Sequence, residues 1–178
     1  MADTIVTNAA IFAYTAHEGQ KRKYTGRPYI EHPMRVAGKL TLWACKFPVS
    51  KEMIAAAWLH DVVEDTSATN ADIAQMFGGY IASLVHQLTS PKSDEPRAVR
   101  KRKQREALAA AALEVRLIKL VDRTDNLEDM ALGPVKFRRQ YAEESLLLAQ
   151  EIGDDPMLAP MLAALRAAAL AELAAAKE

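Results

Sequence analysis

Apolar positions recur along this chain at helical spacing almost from end to end. Ile5, Ala9, Phe12 and Ala16 fall three or four apart, which predicts a helix from a cap at Asp3 to about His17. The polar stretch "EGQKRKYTGRPYIEH" interrupts the pattern, with a glycine at each end of its basic part. Pro33 suits a first helical position and opens "PMRVAGKLTLWACKF". Ser50 is placed to cap the next helix, with Glu52 in its first turn, and this helix carries "MIAAAWLHDVVED". Thr69 and Asp72 have capping-box spacing for "NADIAQMF", which stops at Gly78-Gly79. "YIASLVHQLTS" follows and is ended by Pro91. After a polar loop, the basic helix "RAVRKRKQREALAAAALEV" runs with little break into "RLIKLVDRTDNLEDMAL". Gly133-Pro134 reads as a turn, and helices over about 136–152 and 157–177 close the chain. Period-two alternation is absent, so no sheet is expected. The expectation is an all-α single domain spanning 1–178, with roughly eight to nine helices.

Composition narrows the class without changing the fold. Of the 178 residues, 50% are apolar and 26% charged, ordinary values for a globular domain with a real core. Formal net charge is zero, so nothing global points to nucleic acid or an anionic membrane. Six basic residues between Arg97 and Arg105 form a charged helix, but no aromatics interleave them, which argues against a nucleic-acid surface. The one cysteine, Cys45, excludes an internal disulfide framework and a multi-cysteine zinc site. Beside Trp43 and Phe47 it reads as a small buried apolar residue. The N-terminus lacks a basic n-region, and no stretch approaches the roughly 20 apolar residues of a membrane span. A cytoplasmic protein is expected. The Ala-rich last helix suits either packing within the chain or a homo-oligomer face.

The chemistry concentrates in "WLHDVVEDT", Trp58 to Thr66, where an apolar helix ends in His60, Asp61, Glu64 and Asp65. On a continuous helix His60 and Glu64 share a face, and so do Asp61 and Asp65. His60 and Asp61 diverge by about 100° around the axis, yet at a helix end both can bend toward one point. A neutral imidazole beside a carboxylate is a ready pair of ligands for a divalent transition metal. An adjacent His-Asp alone is more often a surface or capping pair. Two distant residues strengthen the metal reading. His32 sits at a loop-to-helix junction, and Asp122 lies near the apolar face of its helix, where an unpaired carboxylate is costly. Lys119 and Arg123 are close enough in sequence to pair with Asp122 instead.

"HD" inside an apolar helix, with one His upstream and one Asp downstream, resembles the HD-domain metal-dependent phosphohydrolases. The stretches "AHEGQKRK", "GRPYIEHP", "AAAWLHDVVEDT", "MFGGYIASLVHQLT", "RKRKQ" and "IKLVDRTDNLEDM", in that order, resemble the hydrolase domain of the RelA/SpoT homologue family. They cover residues 9 to 132 densely and leave nothing over for a synthetase or regulatory domain, which is similar to the stand-alone branch, the small alarmone hydrolases.

The resemblance implies an HD-domain helical bundle and Mn²⁺ held by His32, His60, Asp61 and Asp122. It implies that Glu64 and Asp65 orient the attacking water and take its proton. It puts Arg22 on the purine base, Lys23 on phosphate or base edge, and Asn126 on the nucleotide, with Arg100 and Arg102 toward the pyrophosphates and His17 and Gln20 as loop-positioning groups. The implied reaction removes the 3′-pyrophosphate of (p)ppGpp, or of the adenosine analogues (pp)pApp, leaving the nucleoside 5′-di- or triphosphate. Departures cluster around the base. Tyr24 stands where the family prefers an acidic residue, Asp125 where it prefers an aromatic, and the loop from Lys23 to Pro28 is slightly short. Two alternatives remain at this stage: an HD phosphohydrolase of another phosphorylated nucleotide such as NADPH, and a non-catalytic alarmone-binding protein.

Overall fold

Ser50 opens the helix around which the first half of the protein is built: its hydroxyl accepts the Met53 N–H at 3.2 Å. A computed structural model describes residues 4–91 and 93–176, and among them it shows ten helices and one isolated bridge, Lys21 with Pro28. The expected cap at Asp3 lies outside the described residues. The chain divides into two compact units, Met1–Ser90 and Pro91–Glu178.

The first unit holds α1 (Thr4–Ala16), α2 (Glu31–Trp43), α3 (Lys51–Leu59), α4 (Val62–Asp65), α5 (Asn70–Phe77) and α6 (Gly79–Leu88). Helix α3 is apolar on nearly every side, and Met53, Ala55, Ala56, Ala57 and Leu59 are all buried. It packs against α1, α2 and α6. Ala9 and Ala13 of α1 and Ala37 of α2 are buried, small side chains that let neighbouring helices approach closely. Thr69 and Asp72 form the expected capping box, and Gly78 turns from α5 into α6 at φ +87, a backbone setting that favours glycine.

Three boundaries in this unit differ from expectation. Helix α2 begins at Glu31, two residues before Pro33, and ends at Trp43 rather than continuing to Phe47. Cys45 therefore lies in the turn that follows and is exposed, its Sγ 3.2 Å from the Leu42 carbonyl; it is not the buried apolar residue its neighbours suggest. The helix carrying "HDVVED" is broken in two at His60-Asp61. The Ala57 carbonyl, which a continuing helix offers to the Asp61 N–H, receives His60 Nδ1 at 2.8 Å, and Asp61 turns at φ −100, ψ −8.

The second unit holds α7 (Arg97–Ala109), α8 (Leu113–Glu128), α9 (Val135–Ile152) and α10 (Ala159–Ala175). Helix α8 buries Val115, Leu117, Ile118, Leu120, Val121 and Leu127 and packs against α7, α9 and α10. The run expected to continue from α7 into α8 breaks at residues 110–112, where Ala112 is extended at ψ 154. The Ala-rich α10 packs within the unit, burying Met161, Leu162, Leu165 and Ala169 against α8 and α9. Much of the basic charge of α7 is used locally: Arg97 pairs with Glu144 at 3.0 Å and Arg105 with Glu151 at 2.9 Å. Among the described residues no helix is long and apolar enough to cross a membrane.

Candidate active site

The break between α3 and α4 brings His60 and Asp61 together instead of letting them diverge. His60 Nε2 is 3.2 Å from Asp61 Oδ2, and His32 Nε2 is 3.6 Å from the same oxygen. Both imidazoles are buried, at 0% and 1% exposure for His32 and His60, and their rings meet edge to face at 5.1 Å. His60 Nδ1 faces the Ala57 carbonyl, which leaves Nε2 as the nitrogen turned toward Asp61. A lone pair 3.2 Å from a carboxylate oxygen is repulsive unless a proton or a cation lies between them. Two imidazole nitrogens and a carboxylate oxygen converging at the buried end of a helix fit a divalent metal in donor type.

Tyr29 joins this cluster to α4. Its hydroxyl lies 2.7 Å from Asp61 Oδ2 and 2.7 Å from Asp65 Oδ2. Burial and the two carboxylates push the phenol pKa well above its usual value, so it stays a neutral hydrogen-bond donor. Glu64, the other carboxylate of α4, turns elsewhere: its Oε2 accepts the Ser90 N–H at 2.9 Å. The structure thus gathers His32, Asp61 and Asp65 around one phenol, sets His60 beside His32 and Asp61, and aims Glu64 at the backbone beyond α6.

The basic loop between α1 and α2 is a small hairpin rather than irregular coil. Arg22 N–H reaches the Arg27 carbonyl at 2.8 Å, and Gly26 returns to the Arg22 carbonyl at φ +69. Gln20 pins the loop to α4, its Nε2 donating to the Asp65 carbonyl at 2.8 Å, while His17 Nδ1 bonds Gln20 Oε1 at 2.8 Å. Both therefore position the loop. The Arg22 guanidinium lies 5.5 Å over the Tyr29 ring and the Lys23 ammonium 5.5 Å over the Tyr24 ring. Lys23 is exposed and Arg22 partly so.

In the second unit, Asp122 is buried on α8. Lys119 Nζ lies 2.7 Å from its Oδ2, and Asn126 Nδ2 donates to its Oδ1 at 2.6 Å. Arg123 turns away, donating to Ser145 Oγ at 3.0 Å and stacking over the Tyr141 ring at 4.0 Å. Arg100 donates to the Glu95 carbonyl at 3.1 Å, and Arg102 lies 3.7 Å from Glu106; both are exposed. Lys101, between them, is part-buried beside Arg123 and Lys119, and burial followed by those cations lowers its pKa to about 8. Sequence reasoning passed over Tyr29 and Lys101. The only signal for Tyr29 was its place three residues before His32.

An all-helical protein with a His-Asp pair at the broken end of its central helix and a second histidine on the same carboxylate has the features of an HD-type metal site. The family model described as HD domain matches residues 9–149, and the chain belongs to that family. It is 34% identical over 146 residues to the Drosophila melanogaster guanosine-3′,5′-bis(diphosphate) 3′-pyrophosphohydrolase MESH1, covering 81% of this chain and 80% of that protein. It is 40% identical over 144 residues to the bifunctional (p)ppGpp synthase/hydrolase SpoT of Escherichia coli (strain K12), covering 78% of this chain and 20% of SpoT. The chain thus spans about a fifth of the length of its long relatives. A solved structure of a metazoan ortholog of SpoT, described as hydrolyzing ppGpp and acting in starvation responses, matches with a TM-score of 0.77 at 30% identity, covering 98% of this chain and 96% of that one.

Proposed function

We propose that this protein is a metal-dependent hydrolase that removes the 3′-pyrophosphate of purine alarmone nucleotides, (p)ppGpp or the adenosine analogues (pp)pApp. The observation that carries the reading is the convergence of His32 Nε2 and His60 Nε2 on Asp61 Oδ2, at 3.6 and 3.2 Å. The substrate class comes from the likeness to MESH1 and SpoT. The family match runs across both units and supports treating the whole chain as one HD domain.

The metal of this reading is Mn²⁺, and its ligands are His32, His60, Asp61 and Asp122. A mixed imidazole and carboxylate set suits an ion that also holds water and phosphate oxygens. When bound, such a cation supplies Lewis acidity: it draws charge from a phosphate oxygen and makes a water easier to deprotonate.

The protein's own groups do the rest. Asp65 takes the proton of the attacking water, with Glu64 as the second carboxylate of the pair. Water attacks the phosphorus attached to the ribose 3′ oxygen. That P–O bond breaks, the 3′ oxygen takes up a proton, and pyrophosphate and the nucleoside 5′-di- or triphosphate leave. Arg22 stacks on the base, as a planar guanidinium suits, and Lys23 offers a point charge to phosphate. Asn126 contacts the nucleotide, and Arg100 and Arg102 neutralise the pyrophosphates.

Asp61→Ala and Asp122→Ala test the assignment. Each is expected to abolish manganese-dependent pyrophosphate release while leaving the helical circular dichroism of the wild type. Full activity in both would remove the proposed ligand set.

A further inference from the structure

Tyr29 touches the metal-binding cluster and the base-binding loop at once, yet it is neither a ligand nor a nucleotide contact in the reading above. Its hydroxyl is 2.7 Å from Asp61 Oδ2 and 2.7 Å from Asp65 Oδ2. Its ring stacks on His17 with centroids 4.7 Å apart, meets His32 edge to face at 6.2 Å, and lies under the Arg22 guanidinium at 5.5 Å. A phenol has one proton to donate, and Tyr29 places it between Asp61 Oδ2 and Asp65 Oδ2, so a single shared donor sits between two carboxylates that would otherwise repel. Gln20 reinforces the link from the loop side by holding the Asp65 carbonyl at 2.8 Å. The flanking contacts leave the ring little freedom. It is stacked on His17, met by His32 and held at its hydroxyl by the two carboxylates, with Arg22 over the ring.

We propose that Tyr29 is a positioning residue that couples nucleotide binding to water activation. Its hydroxyl holds the proton acceptor Asp65 at a fixed distance from the metal ligand Asp61, and its ring supports the base-binding Arg22. The inference rests on the roles given above to Asp61, Asp65 and Arg22. Two variants separate the hydroxyl from the ring. Tyr29→Phe keeps the surfaces facing Arg22 and His17 and removes only the hydroxyl; Tyr29→Leu removes both.

The test has three readouts: kcat and KM for pyrophosphate release from ppGpp, Mn²⁺ affinity by electron paramagnetic resonance on nucleotide-free protein, and thermal unfolding. Tyr29→Phe should lower kcat and weaken Mn²⁺ binding by about 10–100-fold, the usual effect of losing a partner of a metal ligand, with KM unchanged. Tyr29→Leu should raise KM as well. In an Asp65→Asn background, Tyr29→Phe should lower kcat little further, because the residue acts through Asp65; a merely destabilising change would add its full effect. Tyr29→Phe with wild-type kcat and Mn²⁺ affinity would overturn the proposal, and so would a rise in KM alone. If the wild type turns over no alarmone, the proposed function fails, while the Mn²⁺ titration still decides the coupling: equal affinity in wild type and Tyr29→Phe overturns it.

Discussion

Lys119 holds Asp122 from one turn earlier on the same helix, its Nζ 2.7 Å from Asp122 Oδ2. Asn126, one turn later, takes the other oxygen at 2.6 Å. A buried carboxylate is costly without partners, and α8 supplies both from its own i−3 and i+4 positions. The carboxylate is oriented before any ligand arrives, and in the proposed reading Asn126 serves the nucleotide as well.

A double role for Asn126 has a measurable consequence. Asn126→Ala should raise KM for the nucleotide and also weaken Mn²⁺ binding, by about 10-fold or more, as loss of a ligand's hydrogen-bond partner does. Isothermal titration with Mn²⁺ alone checks the second effect. Unchanged Mn²⁺ affinity would confine Asn126 to the nucleotide.

Lys101 sets a pH dependence of stability. Its pKa is lowered to about 8 in the folded protein, by burial first and then by Arg123 and Lys119. The unfolded chain keeps the ordinary value of about 10.4. Between these two values the unfolded state binds more protons, so the Lys101 contribution to stability rises with pH across that window and is lost as pH falls through about 8. Urea unfolding of wild type and Lys101→Met at several pH values between 7.5 and 9.5 should show the wild type gaining on the variant as pH rises. Parallel curves would contradict the shift.

Arg123 is a structural group rather than a catalytic one. It is buried, bonds Ser145 and stacks on Tyr141, tying α8 to α9. Arg123→Ala should cost about 1.5–3 kcal/mol, the range for a hydrogen bond to a charged group, measured by urea denaturation. A change under about 0.5 kcal/mol, the usual size for an uninvolved surface site, would contradict this placement.

Ser50 caps the helix that ends at His60. Ser50→Ala should lower stability by about 1 kcal/mol, read as a shift in the urea midpoint. Because the cap lies at the far end of α3 from His60, kcat should be unchanged.

Much of this architecture could be read from the chain because caps and glycines punctuate it. Ser50, the Thr69/Asp72 box and Gly78 mark the starts and stops that the structure shows. The junction between α7 and α8 could not be read, since Ala109 to Ala112 are all strong helix formers and the break there has no local chemical signal. The break at His60-Asp61 was hidden for another reason. It depends on a histidine side chain bonding the Ala57 carbonyl, which periodicity does not register. The same break decides the site geometry. Asp61 and Asp65 keep their shared turn, with the Asp65 N–H on the Asp61 carbonyl at 2.9 Å, and Tyr29, a residue that reads in sequence as one more aromatic near a helix start, bridges their carboxylates. Cys45 was misplaced because α2 was expected to run past it; the turn after Trp43 carries it outward.

The most direct measurement is turnover by purified, metal-stripped protein, with and without added Mn²⁺, on ppGpp, ppApp and NADPH, following phosphate and pyrophosphate separately. The expected result is manganese-dependent pyrophosphate release from ppGpp or ppApp, with the faster of the two fixing the base preference. Release of plain phosphate from NADPH alone, or turnover of the alarmones that ignores the metal, would contradict the account.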